Sequence, residues 1–361
     1  MTPKRRWLAA LRLEPLDRLP FWPKLNANYP GWQRSPFSKM ELVRLHRWVG
    51  SDQHRWCSAC VREVRKKTSL VQEIRGKRQR WFYHTPSGTL TAEWIFDEVS
   101  GSWHPREFPV KKPEDIEILN AFFSDCSWEP DNHLKEEAEQ QVREIGEEAV
   151  VATGIGTSPL MDWLQHLSGI ENGHYLLADE PEMVRALFQT MHRSVLRRTE
   201  MVVATSPADL CYITENTSTT LISPAQYQLW NKEHVRAYAA CIRSAGKIAV
   251  LHMCGKLKSL LPDLNEIPVH GFEAFTSPPV GDTTLLDGRT FCPEKCLLGG
   301  TNATLWLQPA RRICQELEKD LQALPHHRGL VITSAGVMPP GCSPETIKQV
   351  ADFVRSFPAR F

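Results

Sequence analysis

His252 and Cys254 are the most distinctive pair of reactive side chains in the sequence. They lie in Leu251-His252-Met253-Cys254-Gly255, where an apolar run ends in a glycine. Side chains two positions apart in an extended segment point the same way, so the imidazole and the thiolate can bind one metal ion. Zinc suits such a nitrogen and sulfur pair. The alternative is that His252 is a hydrogen-bonded core residue and Cys254 a small buried one.

Two adjacent side chains cannot complete a tetrahedral site, so a third ligand has to come from elsewhere. Cys342 is the candidate, because it lies in a loop rich in proline and glycine, residues 335–345. Glu215 is either a fourth ligand or a general base. Its alternative role is a charge at a helix N-terminus or a salt-bridged core carboxylate.

Other cysteine pairs are weaker candidates for a metal site. Cys57 and Cys60 have metal or redox spacing, with His54 just before them, but no second pair accompanies them. Cys292 and Cys296 are most simply structural, because one lies in a loop and the other begins an apolar strand.

The elements that must position these residues follow a βα rhythm. From about residue 148 onward, short apolar strands alternate with helices, which indicates a parallel sheet. We predict six strands at 149–153, 210–214, 248–252, 271–275, 296–300 and 330–334. A strand at 20–25 and a weaker one at 60–64 bring the count to eight, which fits a closed (β/α)8 TIM barrel of the α/β class.

Residues 69–97 differ from this rhythm. Their alternating apolar and polar residues around turn sequences predict an antiparallel meander. We expect one barrel domain over residues 1–361, with the meander as an excursion and a short amphipathic helix at the start of the chain.

In such a barrel the active site lies at the carboxyl ends of the strands. Many polar residues fall at those predicted ends, which favours an enzyme over a binding scaffold. They are Lys24, Asn26, Thr153, Ser158, Asp162, Glu215, Asn216, His252, Cys254, Glu273, Thr276, Thr301, Asn302 and Ser334. Trp22, Trp163 and Trp306 fall near strand ends and could line a pocket for a flat substrate, although most tryptophans are core residues.

Composition excludes several other classes of protein. Lys plus Arg total 43 and Asp plus Glu total 42, a formal net charge of +1, so neither nucleic acid nor an anionic membrane is favoured as a partner. No apolar stretch approaches the roughly 20 residues that span a bilayer. Ten unevenly spaced cysteines in 361 residues are typical of reduced thiols, so we expect a cytoplasmic protein. No nucleotide-binding glycine fingerprint occurs.

Nearly the whole chain resembles the uroporphyrinogen decarboxylase superfamily, in particular its corrinoid-dependent methyltransferase branch. The similar segments are residues 2–11, 17–20 and 221–224, the 252–255 turn, 298–300 and Pro339-Pro340. The resemblance implies a (β/α)8 barrel and, in the methyltransferases, a zinc ion held by a His-x-Cys pair and a later cysteine.

Two departures from the family patterns bear on function. Decarboxylases carry an arginine-rich stretch after the first strand, where this chain has Lys24-Leu25-Asn26-Ala27-Asn28-Tyr29, so decarboxylation of a polyanionic tetrapyrrole is disfavoured. The later cysteine of the methyltransferases normally precedes the Pro-Pro turn, where this chain has Gly336, whereas Cys342 follows it.

The resemblance therefore implies a zinc-dependent methyltransferase that moves a methyl group between a small methylated compound (a methoxy compound, amine or thiol) and a corrinoid. The chain has no corrinoid-binding domain that we recognise, so the corrinoid is expected on a separate protein or free. We expect His252, Cys254, Cys342 and Glu215 at the metal, Glu215, Asp162 and Glu273 in catalysis, and Asn26, Ser158, Thr276 and Asn302 at the cofactor. The alternatives are a metal-free decarboxylase or lyase and a barrel that only binds a tetrapyrrole or corrinoid.

Overall fold

The computed structural model describes residues 1–98 and 101–361. Its strands, in chain order, are β1 (Phe21–Trp22), β2 (Gln53–Trp56), β3 (Val61–Val64), β4 (Ser69–Arg75), β5 (Arg78–Thr85), β6 (Gly88–Asp97), β7 (Ser102–Glu107), β8 (Ser127–Pro130), β9 (Ala149–Gly156), β10 (Leu210–Thr214), β11 (Ile248–His252), β12 (Gly271–Phe275), β13 (Cys296–Gly299) and β14 (Leu330–Thr333).

The helices connect these strands and cover the sheet. They are α1 (Pro3–Leu11), α2 (Leu42–Val49), α3 (Pro113–Ser124), α4 (Asn132–Ile145), α5 (Pro159–Asp162), α6 (Ile170–Asp179), α7 (Pro181–Thr205), α8 (Pro224–Trp230), α9 (Lys232–Ser244), α10 (Leu261–Asn265), α11 (Leu285–Phe291), α12 (Ala310–Gln322) and α13 (Pro344–Ser356). A π-helical turn, Trp163–Leu167, follows α5. No helix in the described part of the chain is long and apolar enough to cross a membrane.

Eight parallel strands form the barrel, in the order β1-β14-β13-β12-β11-β10-β9-β2. β1 and β2 lie at the two ends of this order, and Asp52 bridges them. The backbone N–H of Asp52 donates to the carbonyl of Phe21 at 2.8 Å, and the Asp52 carboxylate accepts the N–H of Phe21 at 3.1 Å. The predicted (β/α)8 TIM barrel is therefore confirmed.

The second barrel strand is not the one that the sequence suggested. Residues 61–64 form β3, which pairs antiparallel with β8 outside the barrel, while β2 pairs parallel with β9. β2 consists of Gln53-His54-Arg55-Trp56. It was not predicted as a strand because three of its four residues are polar, although Gln53 and His54 are buried. The prediction of a barrel strand at 60–64 was wrong for that reason.

Helix α1 covers the amino-terminal end of the barrel. Trp7 belongs to the same apolar cluster as Ile248 and Cys296, the first residues of β11 and β13. Its indole nitrogen donates to the Asp52 carbonyl at 3.0 Å. With one end closed in this way, the carboxyl ends of the strands form the mouth.

The predicted meander is present and has one strand more than the sequence indicated. β4, β5, β6 and β7 pair in that order as an antiparallel sheet, so β7 extends it beyond the predicted limit at Asp97. β4 is exposed throughout, whereas Tyr83, Leu90 and Ala92 pack into the main core, together with Phe122 of α3. The meander is thus anchored to the barrel through one of its faces.

Candidate functional site

A cavity of about 260 Å³ opens at the mouth of the barrel. Its walls combine charged groups from strand ends with large aromatic rings. It is lined by Trp22, Lys24, Leu25, Asn26, Trp56, Tyr212, Thr214, His252, Glu273 and Val337. Of the predicted strand-end residues, the structure brings Lys24, Asn26, His252 and Glu273 together in this cavity. Trp22 lies in its wall, whereas Trp163 and Trp306 are fully buried.

Glu273 is the centre of the polar part of this cavity. The residue is buried in β12, and one carboxylate oxygen accepts a hydrogen bond from the Lys24 ammonium at 2.6 Å. The other oxygen pairs with Nδ1 of His252, the last residue of β11. Two cations thus share one carboxylate, which gives the cluster a net positive charge when both are protonated.

The pKa values of these groups follow from the pairing. Burial alone would lower the pKa of His252, but the Glu273 carboxylate and hydrogen bonds to Cys254 and Glu273 raise it to about 9. Burial would raise the pKa of Glu273, but the Lys24 ammonium and the His252 ring lower it to about 2. At neutral pH His252 is therefore an imidazolium and Glu273 a carboxylate.

Lys24 and Asn216, at the mouth, have unusual backbone conformations. Lys24 has φ of 35° and Asn216 has φ of 53°, in the region that residues with a side chain rarely adopt. Such conformations are held in place by their surroundings and cluster at functional sites. They direct Lys24 to Glu273 and place Asn216 beside Cys254.

Cys254 is exposed just beyond the end of β11. Its Sγ lies 3.5 Å from Oδ1 of Asn216, to which the thiol donates, and the thiol is close enough to His252 to help raise the pKa of that ring. The imidazole and the thiol are therefore adjacent, as their spacing in the sequence predicted. Glu273 holds Nδ1, which leaves Nε2 of His252 as the ring nitrogen that is not engaged by the carboxylate.

Cys342 does not join this pair in the structure. It is buried in the main core, its thiol donates to the Ser343 carbonyl at 3.8 Å, and burial raises its pKa to about 12. Its own carbonyl accepts a 2.5 Å hydrogen bond from the Tyr29 hydroxyl. Within residues 1–98 and 101–361, no three His, Cys, Asp or Glu side chains are grouped so that they could hold one metal ion.

Glu215 directs its carboxylate into the protein. One oxygen accepts the Ser158 backbone N–H at 2.7 Å, and the other accepts the Ser158 hydroxyl at 2.7 Å and the Asn231 amide at 2.9 Å. Burial raises its pKa, although these hydrogen bonds oppose the rise. Glu215 is thus a buried core carboxylate, but hydrogen bonds from Ser158 and Asn231 hold it in place of the salt bridge that the alternative role supposed.

The remaining predicted residues lie apart from the mouth cavity. Asp162 lines a separate aromatic cavity. The Thr276 hydroxyl donates to the Ala274 carbonyl at 2.7 Å. Asn302 lines a different cavity on the rim, and its amide donates to Pro278 at 2.8 Å.

The sequence did not predict the group of aromatic rings that lies beside the charged cluster. His54 stacks on Trp22, with ring centroids 4.5 Å apart, and also contacts Trp56 and Tyr212. Burial lowers its pKa to about 3, so the ring is neutral. Locating β2 correctly would have revealed His54 and Trp56, because strand residues two apart point to the same side.

Residues 109–357 match the family model described as uroporphyrinogen decarboxylase (URO-D). A search of curated proteins gave no match. Among solved structures, a methyltransferase from Methanosarcina mazei is similar with a TM-score of 0.64 and 15% identity, over 99% of this chain and 100% of that chain.

A second solved structure is more distant. It is from Listeria monocytogenes, is named as a vitamin-B12 independent methionine synthase, and is 13% identical over 61% of this chain and 68% of its own, with a TM-score of 0.40. A TM-score below 0.5 does not establish a shared fold. The family model spans well over half of the chain, and the protein therefore belongs to the uroporphyrinogen decarboxylase family.

Proposed function

We propose that this protein is a methyltransferase that moves a methyl group between a small methylated compound and a corrinoid. The observation that carries the proposal is the pairing at the mouth: the Cys254 thiol lies beside His252, whose Nδ1 is held by Glu273. Support also comes from the barrel shared with the Methanosarcina mazei methyltransferase, although at 15% identity that likeness concerns the fold.

Two of the protein ligands that a zinc site requires are present at the mouth. A nitrogen and a sulfur donor are adjacent, and a carboxylate on the far ring nitrogen is the usual support for a metal-bound histidine. Cys342 lies in the core in this arrangement, so it could serve as the third ligand only if residues 335–345 rearrange. Zinc bound there would act as a Lewis acid toward a thiol or an ether oxygen.

The charged residues and the aromatic rings of the mouth cavity have different roles. Glu273 fixes the orientation of the His252 ring and accepts its Nδ1 proton in a hydrogen bond. Lys24 keeps Glu273 ionised. The rings of Trp22, Trp56 and Tyr212 cover the rest of the cavity and provide apolar surface for a small substrate.

The size of the cavity limits how a corrinoid could reach the site. At about 260 Å³ the cavity holds a small molecule but not a corrin ring, which therefore has to approach the open mouth from outside. We propose that the corrinoid is presented by a separate protein or arrives as a free cofactor.

A metal-free lyase is the second candidate, and the protonation state of His252 favours it. With a pKa of about 9, the imidazolium could donate a proton to a carbanion formed when carbon dioxide leaves. The absence of an arginine cluster after β1 argues against a polyanionic tetrapyrrole as the substrate, since Lys24 is paired with Glu273.

One experiment separates the two functions. Protein purified without chelator is analysed for zinc and then incubated either with reduced cobalamin and methylated thiols, amines or methoxyarenes, or with uroporphyrinogen. We expect about one zinc per chain and methylcobalamin formation that requires Cys254. Efficient release of carbon dioxide without corrinoid would overturn the proposal.

A further inference from the structure

A second cavity, of about 300 Å³, lies between the meander and the barrel. Aromatic rings dominate its walls. It is lined by Glu63, Arg65, Leu70, Trp81, Tyr83, Trp94, Phe122, Phe123, Asp162, His166 and Leu167. None of these residues lines the mouth cavity, so the two cavities have separate walls.

The aromatic rings form a connected wall. Trp81 and Trp94 have centroids 5.4 Å apart, Trp94 and His166 5.5 Å, and Tyr83 and Phe122 5.0 Å. The indole nitrogens of Trp81 and Trp94 are buried, so these rings present carbon rather than N–H to the cavity. The faces of such rings carry negative electrostatic potential.

Asp162 is the charged group in this wall that lacks a counter-ion. Glu63 and Arg65 form an ion pair with each other, and the Arg65 guanidinium also lies 3.5 Å from the Phe122 ring centroid. The Asp162 carboxylate has no hydrogen bond or ion pair to any residue within the described ranges 1–98 and 101–361. Burial raises its pKa to about 7 because nothing nearby compensates the charge.

An aromatic wall with one uncompensated carboxyl group is the arrangement that recognises a methylated ammonium ion. Such a cation is poorly hydrated, attracts ring faces and does not need hydrogen-bond acceptors. We propose that the cavity between the meander and the barrel binds a small tri- or tetramethylated ammonium compound, with Asp162 as its counter-ion and Trp81, Trp94 and Tyr83 as its walls. This proposal does not depend on methyl transfer.

The binding experiment titrates tetramethylammonium or choline into the 361-residue protein and measures the heat of binding by isothermal titration calorimetry. We expect saturable binding of one cation per chain. Choline should bind about tenfold more tightly than its neutral isostere 3,3-dimethylbutan-1-ol, because only the cation gains from the ring faces and from Asp162.

Variants identify the site. Asp162→Asn preserves shape and should weaken choline binding about tenfold or more, on the scale of one lost charge pair, whereas Asp179→Asn, at the exposed end of α6, should leave it unchanged. Trp94→Leu should weaken binding several-fold, and circular dichroism checks that each variant is folded.

The pH dependence provides an independent readout, because neither probe has a titratable ammonium proton. Binding should be weaker at pH 6.5 than at pH 8, as Asp162 becomes protonated. The other titratable or charged groups around it are Glu63, Arg65, Tyr83, His166 and Glu215. Burial lowers the pKa of His166, so this ring does not add a charge in that range.

Three outcomes would overturn the proposal. Equal binding of choline and the neutral alcohol would mean a merely apolar cavity. Tighter binding of phenol than of choline would assign the cavity to flat neutral ligands. Unchanged choline binding in Asp162→Asn would exclude the carboxylate as the counter-ion.

Discussion

The ammonium group of Lys24 lies 2.6 Å from Glu273, although 249 positions separate the two residues in the chain. Lys24 follows β1 and Glu273 lies in β12, so the contact exists only because the barrel closes. Through Glu273, Lys24 also acts on His252, the group whose protonation state distinguishes the two proposed functions.

Glu273→Gln should lower the pKa of His252. Without the carboxylate, burial and the Lys24 charge both favour the neutral imidazole, so we expect a pKa below the usual value of about 6.5 instead of about 9. The pKa is measured by NMR titration of the ring resonances. Glu266→Gln removes an exposed carboxylate that pairs with Lys232 and serves as the control; an unchanged His252 pKa in Glu273→Gln would refute the assigned pairing.

The same pair should make the stability of the fold depend on pH. The pKa of Glu273 is depressed to about 2, so its contribution is present above pH 4.5 and is lost as the pH falls through 2. The pKa of His252 is raised to about 9, so its contribution is present below pH 6.5 and is lost as the pH rises through 9. The pair therefore stabilises the fold most between pH 4.5 and 6.5.

Urea denaturation of the wild type and Glu273→Gln measures this dependence. The difference in unfolding free energy should shrink by about 1–3 kcal/mol between pH 6 and pH 9. Other buried histidines, such as His46 and His54, have pKa values lowered to about 4 and about 3, so their rings are neutral in both folded proteins between pH 6 and pH 9 and their contributions cancel in the difference. A difference that stays constant across this range would contradict the prediction.

Asp52 should be the most sensitive charge outside the site. It is fully buried between β1 and β2 and accepts hydrogen bonds from Arg6 at 2.5 Å and from Arg18 at 2.8 and 2.9 Å. Asp52→Asn leaves the Arg18 guanidinium without its carboxylate partner and leaves Arg6 with Asp17 alone, at the seam of the barrel. We expect a loss of about 3–5 kcal/mol in unfolding free energy, measured by urea denaturation.

A matched control for this change is Asp17→Asn. Asp17 pairs with the same Arg6 side chain, but its own side chain is 38% exposed, so water replaces part of the lost interaction. The loss should be about 1 kcal/mol or less. Equal losses for both variants would show that burial at the seam does not set the cost.

Sequence patterns predicted most of the barrel because its later strands are continuous apolar runs. The strands at 210–214, 248–252 and 271–275 have the predicted bounds, and β9, β13 and β14 differ only at their ends. β2 was not predicted because Gln53 and His54 are polar, yet both are buried. His54 packs against Trp7 and Trp22, residues that only the closed barrel brings to it.

The candidate site was predictable where it depends on local spacing and not where it depends on long-range pairing. His252 and Cys254 follow from a strand end and a two-residue spacing, and Glu273 from its position in the next strand. Nothing in the sequence indicates which strand-end cation reaches Glu273. Nor does spacing show that Ser158 and Asn231 turn the Glu215 carboxylate away, or that Cys342 packs into the core.

The zinc site is best tested through its two cysteines. Cys254→Ser should abolish stoichiometric zinc, measured by metal analysis of protein purified without chelator, because it removes the sulfur donor beside His252. We expect Cys342→Ser to retain zinc, because the Cys342 thiol is buried in the core and the Tyr29 hydroxyl holds the Cys342 backbone carbonyl. Loss of zinc from Cys342→Ser with an unchanged circular dichroism spectrum would show instead that residues 335–345 rearrange and carry Cys342 to the metal as the third ligand. Full zinc retention in Cys254→Ser would show that the His-x-Cys pair does not hold the metal, whereas absence of zinc from the wild type would favour the metal-free lyase.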